Sequence, residues 1–144
     1  MPYIKILIHA VWATKSRKAL LNKENKNVLC VHIRHYAKSK NIRLLNINGY
    51  KNHLHGLISL EAEQDIAKVM GLIKGESSFW ANRNLKFPEK FGWQDEYFAV
   101  SIGESQFNAV NDYINRQEEH HRVKSFQEEY EEFMNKYKFE SGNG

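Results

Sequence analysis

Two short segments hold the residues best suited to chemistry. The first is His53-Leu54-His55. In an extended strand, side chains at i and i+2 leave the same face. Both imidazoles can therefore converge on one ion while Leu54 turns the other way, into the core. Taken alone, the pair is also what two surface histidines on an exposed strand look like. The second segment is Tyr113-Ile114-Asn115-Arg116-Gln117. On a helix, i and i+4 lie on one face, one turn apart, so Tyr113 and Gln117 can address the same point in space. Alone, it is the pattern of a packing tyrosine beside a surface glutamine.

Together the two segments specify more. A divalent ion held by two neutral imidazoles and an amide oxygen keeps its full charge. It can polarise a phosphodiester and stabilise charge building at phosphorus. Mixed nitrogen and oxygen donors with open positions suit Mg²⁺ or Mn²⁺, the imidazoles favouring Mn²⁺; Zn²⁺ is a possible substitute in vitro. A tyrosine beside such an ion can serve as a covalent nucleophile, although its free pKa is near 10. Tyrosine attack exchanges one phosphate ester for another, so no nucleotide is needed to restore the bond. The sequence correspondingly lacks a Gly-x-x-x-x-Gly-Lys-Ser/Thr loop.

The elements that must position these residues follow from periodicity. Tyr3 to Trp12 is β-branched and aromatic and reads as a strand. A helix runs from about Asn22, its N-cap, to Asn41. Strands over 42–50 and 53–60 form a hairpin candidate, separated by Lys51 and Asn52. A helix capped by Asp65 extends to about Asn84, with Gly75 read as a point of close backbone approach. A strand over 96–103 is followed by a helix over 106–121, with Phe107, Val110 and Ile114 as its stripe, and by a helix over 125–137. The order β-α-β-β-α-β predicts an α+β, ferredoxin-like antiparallel sheet with helices on one face, plus C-terminal helices. Residues 1–137 are expected to form one domain and residues 138–144 a disordered tail.

With 144 residues, 42% hydrophobic and 26% charged, the chain can bury a real core. A formal charge of +4 permits a polyanionic partner without requiring one. The single cysteine, Cys30, excludes an intrachain disulfide or a Cys-based metal motif and fits a reducing, cytoplasmic setting. The apolar run near the N-terminus is broken by Lys5 and His9 and is too short to span a membrane.

Five blocks, in order, resemble the single-tyrosine HUH transposases of small bacterial insertion sequences and their repeat-associated relatives. They are His9-Ala10-Val11-Trp12-Ala13-Thr14-Lys15, Asn52-His53-Leu54-His55-Gly56-Leu57-Ile58-Ser59, Ile73-Lys74-Gly75-Glu76-Ser77-Ser78, Trp93-Gln94-Asp95-Glu96-Tyr97-Phe98-Ala99-Val100-Ser101 and Tyr113-Ile114-Asn115-Arg116-Gln117-Glu118-Glu119-His120-His121. The resemblance implies a ferredoxin-like fold and Mg²⁺- or Mn²⁺-dependent cleavage and rejoining of single-stranded or hairpin DNA. It implies His53 and His55 as the metal pair, Gln117 as third ligand, Tyr113 as the nucleophile that forms a 5′-phosphotyrosine intermediate, and a homodimer whose tyrosine helix can serve its own or the other subunit's site.

Lys15, Arg17, Lys18 and Arg116 are the candidate DNA contacts; Lys74, Arg83 and Lys86 add charge near the second long helix. Phe79, Trp80 and Trp93 could stack on bases, although core packing is the plainer reading of each. His9 reads as structural, and His120 and His121 are not assigned as ligands. Two other functions fit the same residues: a domesticated relative that binds hairpin DNA or RNA without strand transfer, and a metal-dependent hydrolase that uses water.

Overall fold

The computed structural model describes residues 2–137; the expected tail, 138–144, lies outside the described residues. Its elements are β1 (Leu7–Thr14), α1 (Lys23–Ser39), β2 (Arg43–Tyr50), β3 (His53–Ser59), α2 (Ile66–Asn84), β4 (Trp93–Ile102), α3 (Phe107–Asn115), α4 (Gln117–His120) and α5 (Phe126–Tyr137). The strands form one antiparallel sheet in the order β2-β3-β1-β4. This is the ferredoxin-like arrangement, with β1 and β3 as the two central strands.

Local chemistry explains the helix starts. Asn22 accepts from the Asn25 N–H at 2.7 Å, and Asp65 accepts from the Lys68 N–H at 2.8 Å. Each side chain thus satisfies one of the free donors at a helix N-terminus.

Strand alternation divides the core in two. Ile8, Ala10 and Trp12 of β1, with Leu54 and Ile58 of β3, pack with α1 and α2 residues such as Leu29, Ile33, Met70 and Ile73. Val11 and Ala13 point to the opposite face and pack with Phe126 of α5. Leu54 therefore lies in the main core, as its place between the two histidines predicts. α1 and α2 cover one face, and the C-terminal helices lie over the other.

Several boundaries differ from the sequence reading. The first strand begins at Leu7, and β4 begins at Trp93, three residues early. The helix expected over 106–121 is two helices that break at Arg116, where φ is −100° and ψ is 24°. There the Tyr113 carbonyl accepts from the Gln117 side-chain amide at 3.3 Å and from the Arg116 N–H, so a side chain competes with the regular backbone ladder. Gly75 marks no close approach: a Cβ there would meet nothing within 4 Å. Gly49 is the glycine that geometry demands. A Cβ on it would lie 2.1 Å from the His53 carbonyl oxygen.

Candidate active site

His53 and His55 sit in mid-sheet, bonded on both sides. His53 lies opposite Ala13 and Tyr50, and His55 opposite Val11 and Asn48. Both side chains are fully buried, on the face that carries α3, α4 and α5. The two imidazoles share one face, on an interior strand rather than the exposed surface strand of the alternative reading.

Hydrogen bonds fix which nitrogen of His53 is bare. The Asn52 amide nitrogen donates to the Arg17 carbonyl at 3.3 Å, which turns Asn52 Oδ1 toward His53 Nδ1, 2.9 Å away. Only an N–H can be donated to that oxygen, so Nδ1 carries the proton. Burial pushes the His53 pKa down and keeps the ring neutral. Nε2 is then a lone pair, and it faces two acceptors: Gln117 Oε1 at 3.1 Å and Glu129 Oε1 at 3.2 Å. The orientation of Gln117 is set in turn by its donation to Tyr113.

His121 repeats the pattern. Its Nδ1 donates to the Lys124 carbonyl at 2.7 Å, burial pushes its pKa down to about 3, and its bare Nε2 points at Glu129 Oε1, 3.5 Å away. His55 Nε2 lies 3.3 Å from the same oxygen. Burial opposes the charge on Glu129, but the His53 and His55 imidazoles at hydrogen-bond distance beside it outweigh burial and hold the carboxyl at about 2. Lone pairs converging on acceptors, without protons between them, are what a cation reconciles. The donor set thus fits a divalent metal, with His53, His55 and Gln117 able to hold it.

Tyr113 arrives on α3. The edge strand holds that helix by side-chain amides: Asn46 Nδ2 donates to Asn111 Oδ1 and Asn115 Oδ1 at 2.8 and 2.9 Å, and Asn48 Nδ2 to the Ile114 carbonyl at 2.9 Å. Ile114, fully buried, anchors α3 to the sheet. The Tyr113 ring is 5.5 Å from the His55 ring of its own chain, and its hydroxyl is 3.5 Å from His120 Nε2. Beside it lies a cleft of about 260 Å³, bordered by Tyr113, Glu129, Glu132, Phe133 and Lys136.

Three residues of this cluster carried no assigned role in the sequence reading: Glu129, His120 and His121. His9, read from the sequence as structural, lies behind the pair, 2.9 Å from His55 Nδ1, and burial pushes its pKa down to about 3. Glu129 left one legible signal. Phe126, Glu129, Tyr130 and Phe133 fall at i, i+3, i+4 and i+7, so a carboxylate interrupts the apolar stripe of α5. Phe126 stacks on His53 with ring centroids 4.1 Å apart, and Phe133 lies edge-on to His9.

The four candidate DNA contacts differ in setting. Lys15 and Arg116 are exposed, and Lys18 is exposed but paired with Glu89 at 2.7 Å. Arg17 is half-buried, its guanidinium 4.3 Å from the Tyr130 ring and bonded to Gln127. Trp80 stacks on His32, and Trp93 packs against Phe91 and donates to Ser77. Phe79, by contrast, is exposed, which corrects its core reading. No helix among the described residues is long and apolar enough to cross a membrane.

A strand-borne histidine pair and a helix-borne tyrosine thus share one face of this sheet, and comparison with known proteins gives the chain its family. Residues 3–117 match the model of the IS200-like transposases, and the chain belongs to that family. It is 24% identical over 120 residues to the transposases for insertion sequence element IS200 of Salmonella typhimurium and Salmonella typhi, covering 80% of this chain and 78% of each relative. Among solved structures, a putative transposase from Deinococcus radiodurans superposes with a TM-score of 0.64 at 25% identity, over 81% of this chain and 93% of that one. A REP-associated tyrosine transposase bound to a REP hairpin shares the fold, with a TM-score of 0.63 at 17% identity, over 84% and 72% of the two chains.

Proposed function

We propose that this transposase cuts and rejoins single-stranded DNA at hairpin-forming sites through Tyr113, at a metal held by His53, His55 and Gln117. The observation that carries the reading is the convergence of His53 Nε2 and Gln117 Oε1, 3.1 Å apart, in the same site as the Tyr113 ring. The Tyr113 oxygen attacks the phosphorus and forms a phosphotyrosine ester at the 5′ side. The bond from phosphorus to the 3′ oxygen breaks, and that oxygen leaves as a 3′-hydroxyl after taking up a proton. Rejoining reverses the exchange with a new 3′-hydroxyl. A bound Mg²⁺ or Mn²⁺ supplies charge stabilisation at the phosphate.

The chain's own residues do the remaining work. Asn52 holds the His53 tautomer, Asn46 and Asn48 hold the tyrosine helix, and Lys15, Lys18 and Arg116 offer charge to the DNA backbone. Tyr113 reaches the histidine pair of its own chain, so catalysis in cis needs no exchange of helices within the expected homodimer.

The test is a denaturing gel of labelled single-stranded hairpin oligonucleotides with Mn²⁺. Wild type should give a protein–DNA adduct, and Tyr113→Phe should give none. Nicking by Tyr113→Phe at the wild-type rate would refute the tyrosine mechanism and favour hydrolysis by water. Tight hairpin binding with no adduct, unaffected by chelator, would favour a binder without strand transfer.

A further inference from the structure

We propose that Glu129, carried by α5 beyond the family-matched residues, is a fourth protein ligand of the metal, so that the C-terminal helix is part of the metal site. The inference rests on the reading that His53, His55 and Gln117 hold a divalent ion.

Glu129 is 1% exposed, yet its carboxylate has no cation beside it in reach of a full salt bridge other than imidazoles. Its Oε2 makes no hydrogen bond among the described residues, and neither does Nε2 of the buried His121 side chain that faces Oε1. A buried carboxylate left in that state is costly unless a charge compensates it. Lysine and arginine cannot be that charge here: none lies within 4 Å of Glu129 among the described residues.

The spacing of the donors answers the question of what can. Glu129 Oε1 is 3.2 Å from His53 Nε2 and 3.3 Å from His55 Nε2, and Gln117 Oε1 is 3.1 Å from His53 Nε2. Donors bonded at about 2.1 Å to one ion stand roughly 3.0–3.4 Å from one another, the edges of an octahedral or tetrahedral shell. Hydrogen bonds alone do not account for the arrangement. His53 has spent its proton on Asn52, so it has none to give to Glu129.

Three consequences follow for the site. The shell becomes two imidazole nitrogens, an amide oxygen and a carboxylate oxygen, an intermediate set that suits Mn²⁺ well. The net charge of ion plus ligands falls from +2 to +1, which tightens metal binding. And because Glu129 is helix-borne, metal binding and the docking of α5 stabilise each other.

The experiment is a calorimetric titration of Mn²⁺ into chelator-stripped full-length protein, with hydrogen exchange of α5 followed in parallel. Wild type, Glu129→Gln, Glu129→Ala and His53→Ala are compared, each first checked for folding by circular dichroism. The expected result is that both Glu129 variants bind Mn²⁺ at least about 10-fold more weakly than wild type. Mn²⁺ should slow exchange in α5 of wild type and leave α5 of Glu129→Gln unchanged. Unchanged or tighter Mn²⁺ binding by folded Glu129→Gln, with binding lost in His53→Ala, would overturn the Glu129 assignment and leave the three-ligand reading standing. Absence of Mn²⁺ binding by wild type would overturn both.

Discussion

Replacing Asn52 by alanine tests the chain of hydrogen bonds that would make His53 a metal ligand, as proposed above. In wild type, Asn52 Oδ1 takes the Nδ1 proton and leaves Nε2 free for a metal. Without Asn52, the metal-free ring gains by moving its proton to Nε2, where Gln117 Oε1 and Glu129 Oε1 wait at 3.1 and 3.2 Å. That tautomer recovers the lost hydrogen bond, so the fold should keep most of its stability. The metal must then reverse the tautomer and strand a buried N–H without an acceptor, a penalty of about 1–3 kcal/mol. Mn²⁺ affinity should fall about 10- to 100-fold, the usual effect of losing an outer hydrogen bond to a ligating histidine. Calorimetry gives the affinity, and imidazole ¹⁵N shifts give the tautomer. Asn52→Asp retains the acceptor and should retain the affinity. The reasoning fails if Asn52→Ala binds Mn²⁺ within twofold of wild type while its Nε2 is protonated in the metal-free state.

Other perturbations test the frame around the site. Gly49→Ala should cost at least about 1–3 kcal/mol, seen as a lower Tm, because its Cβ meets His53 backbone rather than a side chain that can yield; a variant as stable as wild type would contradict the close approach. Ile114→Ala should destabilise the protein by about 2–5 kcal/mol in urea unfolding, since Ile114 is the one buried residue of α3. Burial pushes the Cys30 thiol up to about 11. Its thiolate is then only about a thousandth of the population at pH 8, and alkylation of the folded protein should be far slower than in urea. Lys15→Ala and Arg116→Ala should each weaken single-stranded DNA binding and lower its salt dependence by about one ion.

Much of this was legible in the sequence because it depends on local periodicity. Period-two spacing put His53 and His55 on one face and Leu54 in the core, and the order of elements gave the ferredoxin-like sheet. The N-caps Asn22 and Asp65 were readable because a cap is a contact within four residues. What depends on long-range packing was not. The break at Arg116 comes from a side chain that competes for the Tyr113 carbonyl, and Glu129 reaches the histidines only because α5 folds back over the sheet. Arg17 reads in the sequence as a free cation, but Tyr130, more than a hundred residues later, packs beneath its guanidinium.

The placement of the histidines in β3 has a consequence for how the site opens. β3 is bonded to β1 and β2 along its length, so its amides should be among the last in the molecule to exchange with solvent. Gln117 and Glu129 sit instead on short helices after a break, attached to the sheet by side chains. The site therefore has one fixed jaw and one hinged jaw. A DNA strand engaging the buried histidines would have to enter from the helix side, and hydrogen exchange should then show α4 and α5 opening more often than the sheet.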